Sequence, residues 1–200
     1  MNAADSVTSL KARGRPRDEA LDDKIMNAAL DELADHGYAG MSVDSVAQRA
    51  GVGKATVYRR YRDKADLVTA AIACQKMPAP PVHSEKSARE QLVTLLQRVQ
   101  KRMIEQGNIR TLMQILAESE RNPELIALHR ERTIIPRKAE LQAILQYGID
   151  RGEIRADIDR RLVSELCTGA WISRYAIGNE FTDDWADEVV AMIWSGIAAD

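Results

Sequence analysis

The stretch that decides the fold is residues 42–67, SVDSVAQRAGVGKATVYRRYRDKADL. Ser42 is a good helix N-cap, and the apolar residues at positions 43, 46, 47 and 50 lie on one face of a short helix. The glycine-containing turn at residues 51–53 comes next, and a second short helix is predicted to run to Tyr61. Asp63 then caps a longer helix. Two short helices joined by such a turn are the pattern of a helix-turn-helix.

The Gly53-Lys54 pair within this stretch also resembles the end of a phosphate-binding loop. That loop needs a glycine five residues before Gly53 and a hydroxyl residue after Lys54, and it follows a strand. Gln48 and Ala55 stand at these two positions, and a helix precedes them. The sequence therefore argues against a nucleotide site here.

The second helix of the motif has distinct inner and outer faces. At about 100° per residue, Val57 and Tyr61 point towards the first helix, while Ala55, Thr56 and Arg59 point outwards. A small residue, a hydroxyl and a guanidinium suit entry into the major groove of DNA. The residues flanking this face can hold phosphates and so set the orientation of the helix.

Charge is segregated along the N-terminal third, although the net charge of the chain is only −2. Residues 49–64 hold six basic residues against one acid, whereas residues 18–35 hold seven acids against one lysine. Residues 1–17 lack periodicity and are predicted to form a disordered basic arm. Its RGRPR run either enters the minor groove or touches phosphates without order. The predicted DNA contacts are Ser42, Lys54, Ala55, Thr56, Tyr58, Arg59, Arg60, Lys64, Arg13, Arg15 and Arg17.

Residues 42–67 closely resemble the DNA-binding signature of TetR-type transcriptional regulators. The resemblance implies that Thr56 and Tyr58 meet DNA and that Lys64 meets a phosphate; Tyr61 stands where the family usually has Phe. It also implies an all-helical homodimer with a three-helix head and a larger body. That body would hold a small-molecule pocket, and its last two helices would form a four-helix dimer interface.

The rest of the chain favours the same all-α fold class, with about nine or ten helices. Of the 200 residues, 45 % are apolar, and alternating β-branched runs are absent. We predict a head at residues 18–64, whose first helix ends at Gly37, and a body at residues 65–200. Pro136 either kinks one helix or starts another. The predicted later helices cover residues 88–105, 109–120, 123–135, 136–151, 159–179 and 184–198.

Composition also bears on the compartment and on cofactors. Cys74 and Cys167 lie far apart within helical patterns, which predicts buried, reduced thiols and neither a disulfide nor a metal site. No apolar run approaches the roughly 18–20 residues that cross a bilayer, and the polar, basic N-terminus is unlike a secretory signal. We therefore predict a cytoplasmic protein without a metal or cofactor.

The last predicted helix carries apolar stripes on two faces, so it is expected to have two neighbours. The helix before it carries one narrow stripe of small residues, which would allow close helix approach. This pattern predicts a dimer interface, with a purely internal core as the alternative. The predicted interface residues are Leu162, Leu166, Gly169, Ala170, Val189, Ile193, Trp194 and Ile197.

The middle helices contain adaptable and amphipathic side chains that suit a pocket for a small, largely apolar ligand, although each one alone fits an ordinary core equally well. The predicted pocket residues are Met103, Met113, Leu116, His129, Tyr147, Trp171 and Tyr175. His129 has no nearby partner in a pattern that would suggest a metal site, and no grouping typical of catalysis appears.

The leading functional hypothesis is a homodimeric repressor that a small-molecule effector releases from a palindromic operator on double-stranded DNA. The alternatives are a ligand-independent or architectural DNA-binding dimer and, less in keeping with the sequence, an enzyme. DNA contacts alone do not distinguish repression from activation.

Overall fold

The computed structural model describes residues 19–75, 85–104 and 108–199. These residues form ten α-helices and one π-helical turn, and an isolated β-bridge joins Ile154 to Ala198. The predicted all-α fold is confirmed. The basic arm, with Arg13, Arg15 and Arg17, lies outside the described residues.

The helices follow one another in the order expected from the apolar patterns. They are α1 (Glu19–Gly40), α2 (Val43–Ala50), α3 (Lys54–Tyr58), α4 (Lys64–Cys74), α5 (Ala88–Ile104), α6 (Asn108–Ala117), α7 (Pro123–His129), the π-helical turn (Arg130–Ile134), α8 (Ile135–Asp150), α9 (Arg160–Ala176) and α10 (Trp185–Ile197).

Local capping signals set the helix boundaries of the head. Gly37 interrupts α1 with a φ of 67°, where the sequence predicts the helix end. Ser42 and Ser45 form a reciprocal capping box at the start of α2, and Gly51 ends that helix with a φ of 68°. Asp63 caps α4 by accepting a hydrogen bond from the Asp66 amide.

Helix α3 is shorter than predicted, because it ends at Tyr58 and not at Tyr61. The amides of Arg60 and Tyr61 both donate to the Val57 carbonyl, which closes the helix in a turn. Asp63 then needs an extended backbone, with a φ of −156°, to cap α4. The short segment between the end of α3 and Asp63 leaves no room for another helical turn.

Pro136 lies in the first turn of α8, and the chain remains helical through α7, the π-helical turn and α8. Proline has no N–H to donate to the preceding turn. Just before it, the amide of Ile135 donates to the carbonyl of Arg130, five residues back, as in a π-helix. Both predicted possibilities therefore hold in part: Pro136 starts α8, and the helix path continues across it.

Two apolar clusters form the core. The first contains residues of all four helices α1, α2, α3 and α4, together with Ile115 of α6 and Leu125 of α7. The second joins α5, α8, α9 and α10 and contains Trp171 and Trp185. Since residues beyond 64 complete the first cluster, the head packs directly on α4, α6 and α7, and the domain boundary at residues 64/65 stays a prediction.

One of the two cysteines is buried, as predicted, and the other is not. Cys167 is buried, but Cys74 is exposed at the last turn of α4, so the prediction of a buried thiol is wrong for Cys74.

Among the described residues, every helix is too short or too polar to cross a membrane.

Candidate nucleic-acid interface and body cavity

Helix α3 is fixed by one buried side chain and presents the others outwards. Val57 is 1 % exposed and packs in the first apolar cluster with Val46 and Ala47 of α2. Tyr58 is 47 % exposed, and Ala55 is also exposed. The packing of Val57 therefore sets which face of α3 meets solvent, as the spacing predicts.

The exposed face of α3 carries one cation with an internal partner and one without. Lys54 forms a 2.7 Å ion pair with Asp44, which raises the pKa of the lysine, and its Nζ lies 5.8 Å from the centre of the Tyr58 ring. Arg59 is exposed and makes no ion pair or side-chain hydrogen bond with any described residue. Thr56 is half-buried beside them. Of the two cations beside this face, Arg59 is thus the one free to bind an external anion.

Arg60 behaves differently from Arg59, although both were predicted to face DNA. Its guanidinium forms a partly buried ion pair with Asp22 of α1 and lies 3.4 Å from the Thr56 carbonyl oxygen. This contact ties α3 to α1. The phosphate contact of Arg60 stays a prediction. A phosphate bound there would have to share the Arg60 guanidinium with Asp22.

Two further predicted contact residues, Ser42 and Lys64, lie at the starts of α2 and α4. The Ser42 hydroxyl accepts a hydrogen bond from the Ser45 amide at 3.0 Å, so its first role is to cap α2. The Lys64 Nζ lies 4.5 Å from the centre of the Tyr38 ring and 3.5 Å from the Ala39 carbonyl oxygen. Burial lowers the pKa of Lys64, and an arriving phosphate would oppose that effect.

The basic cluster counted in the sequence is reduced by ion pairs within the protein. Arg49 donates to Glu32 and Asp35, each at 2.7 Å. Arg62 pairs with Asp63 at 2.8 Å and with Glu124. These partners lie up to 62 residues away in the sequence, so the charge count alone could not identify them. Of the six basic residues in this cluster, only Arg59, just after α3, and Lys64, at the start of α4, form no ion pair with a described residue.

Comparison with known proteins identifies the family. Residues 25–71 match the family of bacterial regulatory proteins named tetR, and residues 82–193, more than half of the chain, match the tetracyclin repressor-like C-terminal domain. The chain belongs to the TetR family.

Relatives and solved structures agree with this assignment. The chain is similar to an HTH-type transcriptional regulator of Mycobacterium bovis, at 34 % identity over 78 % of this chain and 76 % of that protein. It is also similar to the DNA-binding transcriptional repressor TetR of Mycobacteroides abscessus, at 28 % identity over 90 % and 92 %. The solved structure of the flavonoid-responsive regulator FrrA has the same fold, with a TM-score of 0.69 and 18 % identity, over 90 % of this chain and 98 % of that one. The chain is therefore a DNA-binding transcriptional regulator of the TetR family.

The body of this TetR-family regulator encloses a cavity of about 290 Å³. Four of the predicted pocket residues line it: Met103, Leu116, His129 and Trp171. The cavity lies between helices α5, α6, α8 and α9, and α4 contributes Ile72. Its volume is at the lower end of the range for small-molecule sites.

The other three predicted pocket residues do not line this cavity. Met113 packs against the second apolar cluster. Tyr147 donates a hydrogen bond to the Lys86 carbonyl at 3.2 Å, and its ring faces Arg151. Tyr175 is exposed near the end of α9. The apolar spacing places all three on helices of the body, but the rotation of each helix directs them away from the cavity.

The cavity wall also contains cations that the sequence prediction missed: Arg98, Arg102, Arg137 and Lys138. The sequence did contain a signal for Arg98 and Arg102. Arg98 and Arg102 continue the helical stripe of Leu95 and Val99, at positions where a core-facing helix normally has apolar residues. Arginines in such a stripe indicate a polar group that faces the interior.

His129 lies in the same wall and is buried, with 4 % of its surface exposed. Burial and the positive charge of Arg137 lower the pKa of its imidazole to about 4. The side chain is therefore neutral at pH 7. Its Nδ1 has no hydrogen-bond partner among the described residues.

Helix α9 exposes apolar side chains to solvent. Leu162 and Leu166 are 49 % and 50 % exposed, and a Cβ at Gly169 would meet no described atom within 4 Å apart from its chain neighbours and its own helix backbone. Ile197, in contrast, is buried in the second cluster. The remaining predicted interface residues are half-buried and pack against that cluster: Ala170, Val189, Ile193 and Trp194.

Proposed function

We propose that this protein is a homodimeric repressor that inserts α3 of each head into the major groove of a palindromic operator and leaves it when a small molecule binds the body. The observation that carries the proposal is the outer face of α3. Val57 anchors this helix in the core while Ala55, Tyr58 and Arg59 face solvent, and Arg59 has no partner among the described residues.

The side chains on this face suit two kinds of DNA contact. The exposed Arg59 guanidinium can bind a guanine edge or a phosphate through two parallel hydrogen bonds. Ala55 is small enough to let the helix approach base edges closely. Tyr58 and Lys64 can hold phosphates, which fix the position of the helix but carry no sequence information.

A dimer would place two such helices on one side of the DNA. The exposed face of Leu162, Leu166 and Gly169 on α9, next to α10, is the surface that we propose for the partner. A two-fold interface is self-complementary, so the two heads are related by the same axis as the two halves of a palindrome. Their recognition helices would be about 34–36 Å apart, which is one turn of B-DNA.

Helix α4 offers a physical connection between the cavity and the DNA face. Ile72 of α4 lines the cavity, and Lys64 lies at the other end of the helix, about 12 Å away at 1.5 Å per residue. Arg132 of the π-helical turn donates to the Asp66 carboxylate and to the Thr69 hydroxyl of α4, at 2.5 and 3.0 Å. A ligand that moves the cavity wall would therefore also move α4.

Release by a ligand requires that the ligand bind one arrangement of the heads more tightly than the other. Two comparisons support this part of the proposal: a relative is named a repressor, and a structural neighbour is named flavonoid-responsive. The relatives are regulators, so we propose no catalytic activity.

Selection of DNA from a random library, followed by footprinting, tests the proposal. We expect one short palindrome, protected on one side of the duplex. Arg59→Met should weaken operator binding roughly tenfold or more. Arg130→Met, which removes an exposed arginine from the π-helical turn, should leave binding unchanged. Extended, sequence-tolerant protection would instead support an architectural DNA-binding dimer and contradict the operator-specific role.

A further inference from the structure

The cavity combines an apolar wall with an excess of positive charge. Among the described residues that line it, Arg98, Arg102, Arg137 and Lys138 are cations and Glu140 is the one carboxylate. Glu140 is already paired with Arg98. The charges of the other three cations therefore remain without a carboxylate partner in the cavity wall.

The arginines have donor groups that nothing in the described structure satisfies. Arg102 is 9 % exposed; its Nη2 donates to the Gln75 carbonyl at 2.7 Å, but its Nε has no partner. The buried Nε of Arg137 also has no partner, and neither does the hydroxyl of the buried Thr133 nearby on the π-helical turn. A buried donor without a partner costs about 1–3 kcal/mol, and more when it is charged.

The charges of the two arginines also oppose each other. Burial and the positive charge of Arg102 lower the pKa of Arg137 to about 10. Burial likewise lowers the pKa of Arg102, with Arg98 as a further cause. Both guanidinium groups remain charged at pH 7, so the cavity holds positive charge close to unsatisfied donors.

The rest of the lining is largely apolar. It includes Trp171, Leu116 and Met103, and Trp171 is itself buried. A ligand that satisfies both the cations and the apolar lining has an anionic end and an apolar body. A guanidinium binds a carboxylate through two parallel hydrogen bonds, which satisfies both the charge and the donors.

We infer that the effector is a small amphipathic acid, whose carboxylate or similar anionic head binds Arg102 and Arg137 and whose apolar body packs on Trp171 and Leu116. This inference rests on the proposed function and adds the chemical class of the effector. It adds an anionic head to the largely apolar ligand that the sequence predicts, because that prediction did not include the cations of the cavity wall. The cavity volume of about 290 Å³ limits the acid to a small one.

Calorimetric titration with matched acid and neutral probes tests the inference. The pairs are octanoate with octan-1-ol and 2-naphthoate with 2-naphthol, at pH 7.5 and without DNA. At least one acid should bind roughly 10- to 100-fold more tightly than its neutral partner, as expected for a hydrogen-bonded charge pair. Equal affinities within both pairs, or no binding of either acid at millimolar concentration, would overturn the inference.

Three variants locate the anionic head. Arg137→Met should abolish the preference for the acid and leave the affinity for the neutral partner within a factor of about three. Arg137→Lys keeps the charge but not the planar fork, so it should retain part of the preference. Arg130→Met, an exposed charge outside the cavity, should bind like the wild type. An unchanged preference in Arg137→Met would contradict the proposed head position.

Thermal unfolding separates a binding role from a structural one. Because no described residue pairs with Arg137, Arg137→Met should melt at the same temperature as the wild type or higher. A structural arginine would instead give a lower melting temperature. The comparison of acid and neutral probes on the wild type does not depend on any variant, and it needs no DNA. Failure of the acid preference and failure of operator binding are therefore separate results.

Discussion

Among the glycines that the structure describes, Gly148 is the one with the least space around it. It lies in α8, where that helix packs against α5 and the chain beyond α8. A Cβ at this position would lie 2.5 Å from the Ile154 Cδ1 and 2.7 Å from the Ala88 Cβ. Optimal carbon–carbon separations are about 3.5–4.0 Å. Gly148→Ala therefore forces the body core to move.

The size of the effect follows from two opposing contributions. Ala88 and Ile154 are both buried, and the Ala88 methyl group cannot rotate away from the new atom. An extra methyl group in a packed core typically costs about 1–3 kcal/mol. Alanine regains up to about 1 kcal/mol of helix propensity relative to glycine. We expect Gly148→Ala to lower the free energy of unfolding by about 1–2 kcal/mol.

Urea denaturation followed by tryptophan fluorescence measures this change, and a double-mutant cycle assigns its cause. Ile154→Val removes the Cδ1 atom that the new Cβ would meet first. Gly148→Ala should therefore cost less in the Ile154→Val background, by at least about 0.5 kcal/mol. An unchanged or raised free energy of unfolding for Gly148→Ala in the wild-type background would refute the close packing of α8 on α5.

Three further predictions concern the dimer face, the basic cluster and acid stability. Leu166→Glu places a charge on the exposed face of α9 and should give a monomer by sedimentation, with helicity retained; a dimer of unchanged affinity would exclude this face. Arg49→Met should lower stability because it unpairs the buried Glu32, whereas Arg59→Met should lower operator affinity alone; the reverse pattern in urea and binding titrations would contradict their assigned roles. Hydrogen bonds from Ser45 and Arg49 hold the pKa of Glu32 below its ordinary value of 4.5. Its ionised form therefore adds stability above about pH 4.5 that is lost as the pH falls through the lower, folded-state pKa, and a Glu32→Gln variant should show no such loss on acid titration.

The starts of α2 and α4 and the end of α2 were predictable because local chemistry determines them, whereas the end of α3 was not. Ser42 and Asp63 satisfy the first amides of α2 and α4, Gly51 adopts the left-handed conformation that ends α2, and Gly37 interrupts α1 with a positive φ. Each of these signals acts within a few residues of the position that it marks. The sequence also predicts which face of α3 is buried, since the spacing of apolar residues is itself local.

The ion pairs of the head were not predictable in the same way. Arg60 and Asp22 are 38 residues apart, and Arg49 and Glu32 are 17 apart. Whether a basic residue faces DNA or an internal carboxylate depends on how α1 crosses α2 and α3. Charge counting therefore overestimates the basic surface of the head.

The cavity was predicted in outline, but its chemistry was not. Met103 and Trp171 line it because they lie on the inner faces of amphipathic helices, which the apolar pattern indicates. The position of Arg137 depends on the π-helical turn, which shifts the rotation of α8 relative to α7. No simple periodicity in the sequence marks that turn.

The salt dependence of operator binding tests the central claim most directly. If α3 and the start of α4 bind DNA phosphates in both heads, six to ten contacts should reduce the affinity by roughly 10³–10⁵ between about 50 and 200 mM salt. Lys64→Met should reduce the slope of log affinity against log salt by about two, one for each head. An affinity that is independent of salt, or a slope that Lys64→Met leaves unchanged, would contradict the account.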